Sequence, residues 1–181
     1  MHVVSLSGSP SASSRSAWLL HQAAERVGAR ADSFHPIDLR RLPAEALLAG
    51  DARHPALRAA IEPVLAADLL LVATPIYKAA YSGLLKVFID LLPADALRHT
   101  TVLPLATGGS PGHLLALDYA LKPVLSALGA RHILDAVYGL DAQLPRHADG
   151  HYTLADELAQ RLDRALAGLF EPTRRAVAVP C

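Results

Sequence analysis

Residues 5–16 read Ser-Leu-Ser-Gly-Ser-Pro-Ser-Ala-Ser-Ser-Arg-Ser, a run of hydroxyl groups closed by one guanidinium. An apolar opening (Val3, Val4, Leu6) leads into it, and a helical pattern of Trp18, Leu19, Leu20, Ala23, Ala24 and Val27 follows at once. A strand, a small-residue loop and a helix start together form an anion site. First-turn amides have no partner inside the helix, and the positive end of its dipole lies behind them. Ser9, Ser14 and Ser16 add hydroxyl donors, and Arg15 adds a planar fork suited to a phosphate. The loop lacks the lysine followed by Ser or Thr of a nucleoside-triphosphate loop. Gly8 is the only glycine before the helix, so the dinucleotide fingerprint also fails. Side chains in place of glycines suit a terminal phosphate monoester better than a pyrophosphate laid on bare backbone. The competing reading is a serine-rich helix cap with Arg15 in solvent.

Two more segments carry small, hydroxyl and aromatic residues together. Residues 74–83 read Thr-Pro-Ile-Tyr-Lys-Ala-Ala-Tyr-Ser-Gly, and residues 106–113 read Ala-Thr-Gly-Gly-Ser-Pro-Gly-His. Pro75 stiffens the first, while Tyr77 and Tyr81 supply broad faces and phenol groups. Gly108 and Gly109 let backbone approach a ligand edge closely. A flat tricyclic flavin ring needs such a wall: an apolar flank, N–H donors along one edge and a face open to a hydride donor. Each segment alone reads equally well as a turn.

The elements that must position these loops follow from periodicity. Strand-length apolar runs at 3–6, 31–37, 69–74, 102–106 and 133–138 alternate with helical patterns at 16–27, 55–66, 82–91, 112–128 and 154–170. The last helix places Leu154, Leu158, Leu162, Leu166 and Leu169 along one face. Strict alternation predicts a parallel sheet with right-handed crossovers. Five strands favour an α/β flavodoxin-like sandwich of strand order 2-1-3-4-5, with ligands outside the carboxyl ends of the strands. The loops after strands 1, 3 and 4 then meet. Residues 40–54 and 141–151 read as irregular excursions. One domain is expected over residues 1–171, with residues 172–181 as a tail.

With 17 basic against 17 acidic residues, the chain offers no field for nucleic acid and no acidic tail. Its apolar runs are far too short for a bilayer span, and the N-terminus lacks a signal-peptide pattern. The single cysteine, Cys181, cannot staple the fold, so a reducing cytoplasm is the expected compartment. His147 and His151 fall in a loop rather than on a helix, and no metal is expected. No Gly-x-Ser-x-Gly elbow is present, which disfavours serine hydrolysis.

The segments Gly-Ser-Pro-x5-Ser, Ala-Thr-Pro-Ile-Tyr-Lys-Ala-Ala-Tyr-Ser-Gly-Leu-Leu-Lys and Leu-Pro-Leu-Ala-Thr-Gly-Gly-Ser resemble the NADPH-dependent FMN reductase family. The last continues into His-Leu-Leu-Ala-Leu-Asp-Tyr-Ala-Leu-Lys-Pro-Val-Leu-Ser-Ala-Leu, which is similar to the branch that partners an alkanesulfonate monooxygenase. The likeness runs from about residue 2 to Tyr138 and is weak from Gly139 onward. It implies hydride transfer from NADPH, or NADH, to FMN, a flavin-dependent monooxygenase as partner, and a homo-oligomer, dimer or tetramer. It implies that Ser9, Ser14, Arg15 and Ser16 hold the FMN phosphate. Pro75, Ile76, Tyr77 and Lys78 would line the ring, with Ser82 and Gly83 nearby, and Thr107, Gly108 and Gly109 would meet its other edge. His113, at the start of the fourth helix, lies beside the expected flavin as a hydrogen-bonding, capping or catalytic group.

Pro123 interrupts the 112–128 helix. It has no N–H, and its ring crowds the carbonyl of Tyr119. A π-bulge relieves such a conflict and often marks a functional site. The resemblance implies a π-helix around this tyrosine, at a subunit interface beside the flavin. The alternative is a proline kink with Tyr119 in the core. No protein acid or base is expected, because the hydride passes directly between cofactors. Lys78 stands equally as a counter-charge or as a solvated lysine. Two rival functions remain: a flavin-dependent reductase of quinones, azo compounds or metal oxyanions, and a non-catalytic flavodoxin-like electron carrier.

Overall fold

A computed structural model describes residues 1–169. The expected tail at 172–181 and residue 170, the end of the fifth expected helix, lie outside them. Strands β1 (His2–Ser7), β2 (Ser33–Asp38), β3 (Leu69–Tyr77) and β5 (Thr101–Gly108) pair in parallel, in the order β2-β1-β3-β5. Two short strands, β6 (His132–Ile133) and β7 (Val137–Leu140), both pair with β5 on its far side, and β4 (Ala80–Tyr81) folds back antiparallel on β3. The order is that of a flavodoxin-like sheet, but with seven strands rather than the five expected.

The two extra strands have local causes. Val102 and Leu105 of β5 are three residues apart, whereas their partners Ile133 and Val137 are four apart. One additional residue bulges out of the ladder and divides the fifth strand in two. The second addition, β4, forms because β3 does not stop at Thr74. It runs to Tyr77 and reverses through Lys78 and Ala79, both at positive φ (50° and 61°).

Alternation along the strands sorts the core into two layers. Val3, Leu69, Leu71, Leu103 and Leu105 pack with Leu19, Ala23 and Val27 of α1 (Arg15–Gly28) and with Leu158 and Leu162 of α6 (Asp156–Ala167). Val4, Leu6, Leu70, Val72 and Val102 pack on the other face against α3 (Pro55–Leu65), α4 (Gly83–Ile89) and Leu121 and Leu125. β3 lies at the centre, and its residues 69–74 are buried on both faces, as a central parallel strand requires. Trp18 packs at the edge of the α1 layer, and its indole N–H is buried without a partner among the described residues.

Two expected elements differ. Residues 40–54 are not irregular throughout: a 3-10 turn (Leu39–Arg41) and a short helix, α2 (Ala44–Leu48), occupy about half of them. Pro43 precedes that helix, and Ala46 and Leu47 are drawn into the core, giving a short apolar face that a window of helical length averages away. The single helix expected at 112–128 is three pieces: a 3-10 turn at Pro111–Leu114, a π-helix at Leu117–Leu121 and α5 (Lys122–Ala127). The widening falls just before Pro123, where the missing N–H and the crowded Tyr119 carbonyl demand it. It also turns Tyr119 outward, 80% exposed, which overturns the core-aromatic alternative.

Candidate functional site

Order reverses on either side of β1, so a crevice opens between the carboxyl ends of β1 and β3. The first loop starts at Gly8, whose amide donates to the Ala73 carbonyl at 2.8 Å and whose carbonyl accepts from the Ser82 hydroxyl. A Cβ here would lie 2.9 Å from Cβ of Leu85, so only glycine lets the loop pass over α4. The Ser9 hydroxyl accepts the Ser11 amide at 3.2 Å and curls the loop back. Ser14 is the N-cap of α1. Its hydroxyl accepts the Ala17 amide at 3.2 Å and lies 3.0 Å from the Ser16 hydroxyl.

Arg15 is anchored sideways. Its Nε donates to the Leu144 carbonyl at 3.0 Å, and Nη1 lies 3.8 Å from the Asp141 carboxylate. The guanidinium sits 5.7 Å over the Tyr152 ring. It therefore ties the 141–153 excursion to the serine loop while a third of its side chain stays exposed to the cleft.

The second loop is the β3–β4 turn. Two successive non-glycine residues at positive φ cost roughly 1–2 kcal/mol each. Such strain persists only where surrounding structure over-determines it. Here Thr74 fixes the return, its hydroxyl accepting the Ser82 amide at 2.9 Å and donating to the Pro75 carbonyl at 3.0 Å. Tyr77 is left half exposed at the mouth of the crevice.

The third loop is held by Tyr138, whose hydroxyl donates to the Ser110 carbonyl at 2.7 Å. Burial, and then the nearby Asp141 charge, push that phenol above its ordinary value, so it stays a donor. A Cβ on Gly108 would lie 2.7 Å from the Tyr138 hydroxyl and 3.2 Å from Nδ1 of His113. A side chain at this position would have to displace the Tyr138 hydroxyl from its place.

Ser9, Ser14, Arg15, Pro75, Ile76, Tyr77, Thr107, Gly108 and Gly109 line one cleft of about 210 Å³. Ser11, Ser13, Asp141 and Tyr152 complete its wall. Other expected residues stand off it. Ser16 is buried behind Ser14, and Lys78 sits at the turn tip. Ser82 caps α4 through the Leu85 amide at 3.1 Å, and its hydroxyl is already used toward Gly8, so with Gly83 it supports the loops from behind. His113 lies in the 3-10 turn, not at an α-helix start, with Nδ1 buried and unpartnered among the described residues. Tyr119 lies on the π-helix. Of the added wall, Ser11 and Ser13 were visible in the serine run, whereas nothing in the sequence gave Asp141 or Tyr152 a role at the site.

A larger cavity, about 570 Å³, lies beside the π-helix. Its two cations are taken: Lys122 binds Asp118 at 2.5 Å and Arg161 binds Glu157 at 3.2 Å. The smaller cleft joins hydroxyl groups, a guanidinium, an aromatic wall and glycine backbone. That donor set suits a phosphate at one end and a flat heteroaromatic ring at the other, which fits FMN.

Doubly wound sheet and cleft together define a flavodoxin-like protein built to hold a flavin mononucleotide. Residues 1–144 match the model of the NADPH-dependent FMN reductase family, and the chain belongs to that family. It is 46% identical to an FMN reductase (NADPH) of Escherichia coli, a match covering 99% of this chain and 94% of that protein. It is 44% identical to an FMN reductase (NADPH) of Pseudomonas putida, covering 98% and 89%. Among solved structures, the apo form of the NADH:FMN oxidoreductase EmoB superposes with a TM-score of 0.82 at 41% identity, covering 99% of this chain and 96% of that one. These matches carry the likeness beyond Gly139, where short motifs had faded.

Proposed function

We propose that this chain moves hydride from NADPH or NADH to FMN and passes the reduced FMN to a separate flavin-dependent monooxygenase. The observation that carries it is the convergence of three loops, from β1, β3 and β5, on one cleft with a polar end and a flat apolar end. Ser9, Ser14 and Arg15 grip the phosphate, with Ser16 fixing the Ser14 hydroxyl. Pro75, Ile76 and Tyr77 flank the ring, and Thr107, Gly108 and Gly109 offer backbone to its far edge. FMN, when bound, supplies the hydride-accepting centre. The protein supplies placement, and no side chain has to move a proton for the hydride to cross.

Tyr119, exposed on the π-helix, is assigned to the contact with a second copy of this chain in a dimer or tetramer. The working compartment is taken to be the cytoplasm, where NAD(P)H is regenerated.

Steady-state oxidation of NADPH and of NADH with titrated FMN, FAD and riboflavin tests the reading. FMN should give the highest kcat/KM. Riboflavin performing as well as FMN would remove the phosphate assignment. A purified protein that leaves NADPH and NADH unoxidised with FMN present would return the chain to the electron carriers.

A further inference from the structure

The 141–153 excursion is a small hairpin laid against the serine loop. It leaves β7 through a 3-10 turn (Asp141–Gln143) and buries Leu144 completely. It then pairs Arg146 with Tyr152. Its turn is closed by the His147 amide on the His151 carbonyl at 2.8 Å and by Gly150 at φ +89°. The imidazoles of His147 and His151 stack at 4.5 Å on the outside. This frame delivers a second side chain inward beside Leu144. Tyr152 is 7% exposed, and its hydroxyl lies 2.8 Å from that of Ser13, 139 residues earlier. The same ring lies under the Arg15 guanidinium, whose Nε is fixed by Leu144 of the same excursion.

We infer that Tyr152 is a positioning residue for the flavin phosphate, which sets the preference for FMN over riboflavin by orienting Ser13 and Arg15. The inference rests on the phosphate reading given above. A serine hydroxyl in a loop turns freely and loses that freedom when it binds an anion. When the Tyr152 hydroxyl donates to Ser13 Oγ, the single Ser13 proton is left to point into the cleft. Arg15 is held likewise, its guanidinium over the ring and Nε on the Leu144 carbonyl. Its remaining N–H groups are then aimed before the ligand arrives, which lowers the ordering cost of binding. A hairpin with no chemistry of its own thereby tunes an anion site at the opposite end of the chain.

Tyr152→Phe keeps the buried ring under Arg15 and removes only the hydroxyl. Binding of FMN and riboflavin to the apoprotein is read by quenching of flavin fluorescence. We expect the FMN dissociation constant to rise about fivefold, the scale of one hydrogen bond, and the riboflavin constant to shift less than twofold. Ser13→Ala approaches the pair from the exposed loop. The double variant should bind FMN no worse than the weaker single variant, because the two groups act as one unit. Equal weakening of both ligands, an unchanged FMN-to-riboflavin ratio in Tyr152→Phe, or fully additive losses would overturn the inference and leave the phosphate site standing. Wild-type protein that binds riboflavin as tightly as FMN would overturn both.

Discussion

Tyr138 shows how a single side chain, set outside the candidate cleft, can hold one of its loops. Its phenol holds the Ser110 carbonyl and closes over Gly108. Its titration is raised above the ordinary 10.0, first by burial and then by Asp141. A group with a raised folded value contributes its stability in full below the unfolded value and loses it as pH climbs through the folded one. The contribution of Tyr138 to fold stability should therefore be level through neutral pH and decline only as pH climbs past the ordinary phenol value, where the ionised phenol gives up the Ser110 bond. Tyr138→Phe, already lacking that bond, should flatten this alkaline limb. Urea midpoints measured against pH for both proteins check this. At this scale the sequence was a partial guide. Small and hydroxyl residues announced the loops, and nine of the named residues do meet in the cleft. Ser82 was also singled out, yet it stands off the cleft with its hydroxyl on the Gly8 carbonyl. Residue type reveals that a group can bond, not which neighbour it will choose. Tyr152 was silent because its role depends on a partner 139 residues away.

Among the elements, α4 governs how the loops meet. Ser82 caps it and joins the first loop to the second: its hydroxyl reaches the Gly8 carbonyl while its amide is taken by Thr74. Ser82→Ala would orphan the Leu85 amide and the Gly8 carbonyl in a buried setting. A loss of about 2 kcal/mol is expected, read as a lowered urea midpoint with an unchanged slope. The same substitution should weaken FMN binding, since the first loop is freed from the second. Elements with a strong period were legible before the structure. The near-continuous apolar run of β3 and the leucine face of α6 both stand where they were expected. Boundaries and interruptions were less legible. The β6–β7 bulge comes from a one-residue mismatch with β5, and a register between distant strands leaves no local mark. The π-helix was legible because proline imposes its constraint four residues back, within one window of sequence.

For the molecule as a whole, the exposed groups that lack an intramolecular role matter most. Tyr119 is 80% exposed, and Leu114 and Leu115 are also exposed nearby. Chain charge is balanced, 17 against 17, so no net repulsion opposes association. Tyr119→Ala should shift the sedimentation coefficient toward a smaller species or change the rate at which FMN is released. A variant that sediments and releases flavin as the wild type does would strike out the interface role. No helix among the described residues is long and apolar enough to cross a membrane.

Trp18 adds a practical property. It is the chain's sole tryptophan, planted in the first turn of α1 directly behind the serine loop. Oxidised flavins absorb in the blue and near-ultraviolet, where indole emits. The protein thus carries its own optical gauge of occupancy, and loading of the cleft can be followed in unlabelled material by the dimming of one emitter.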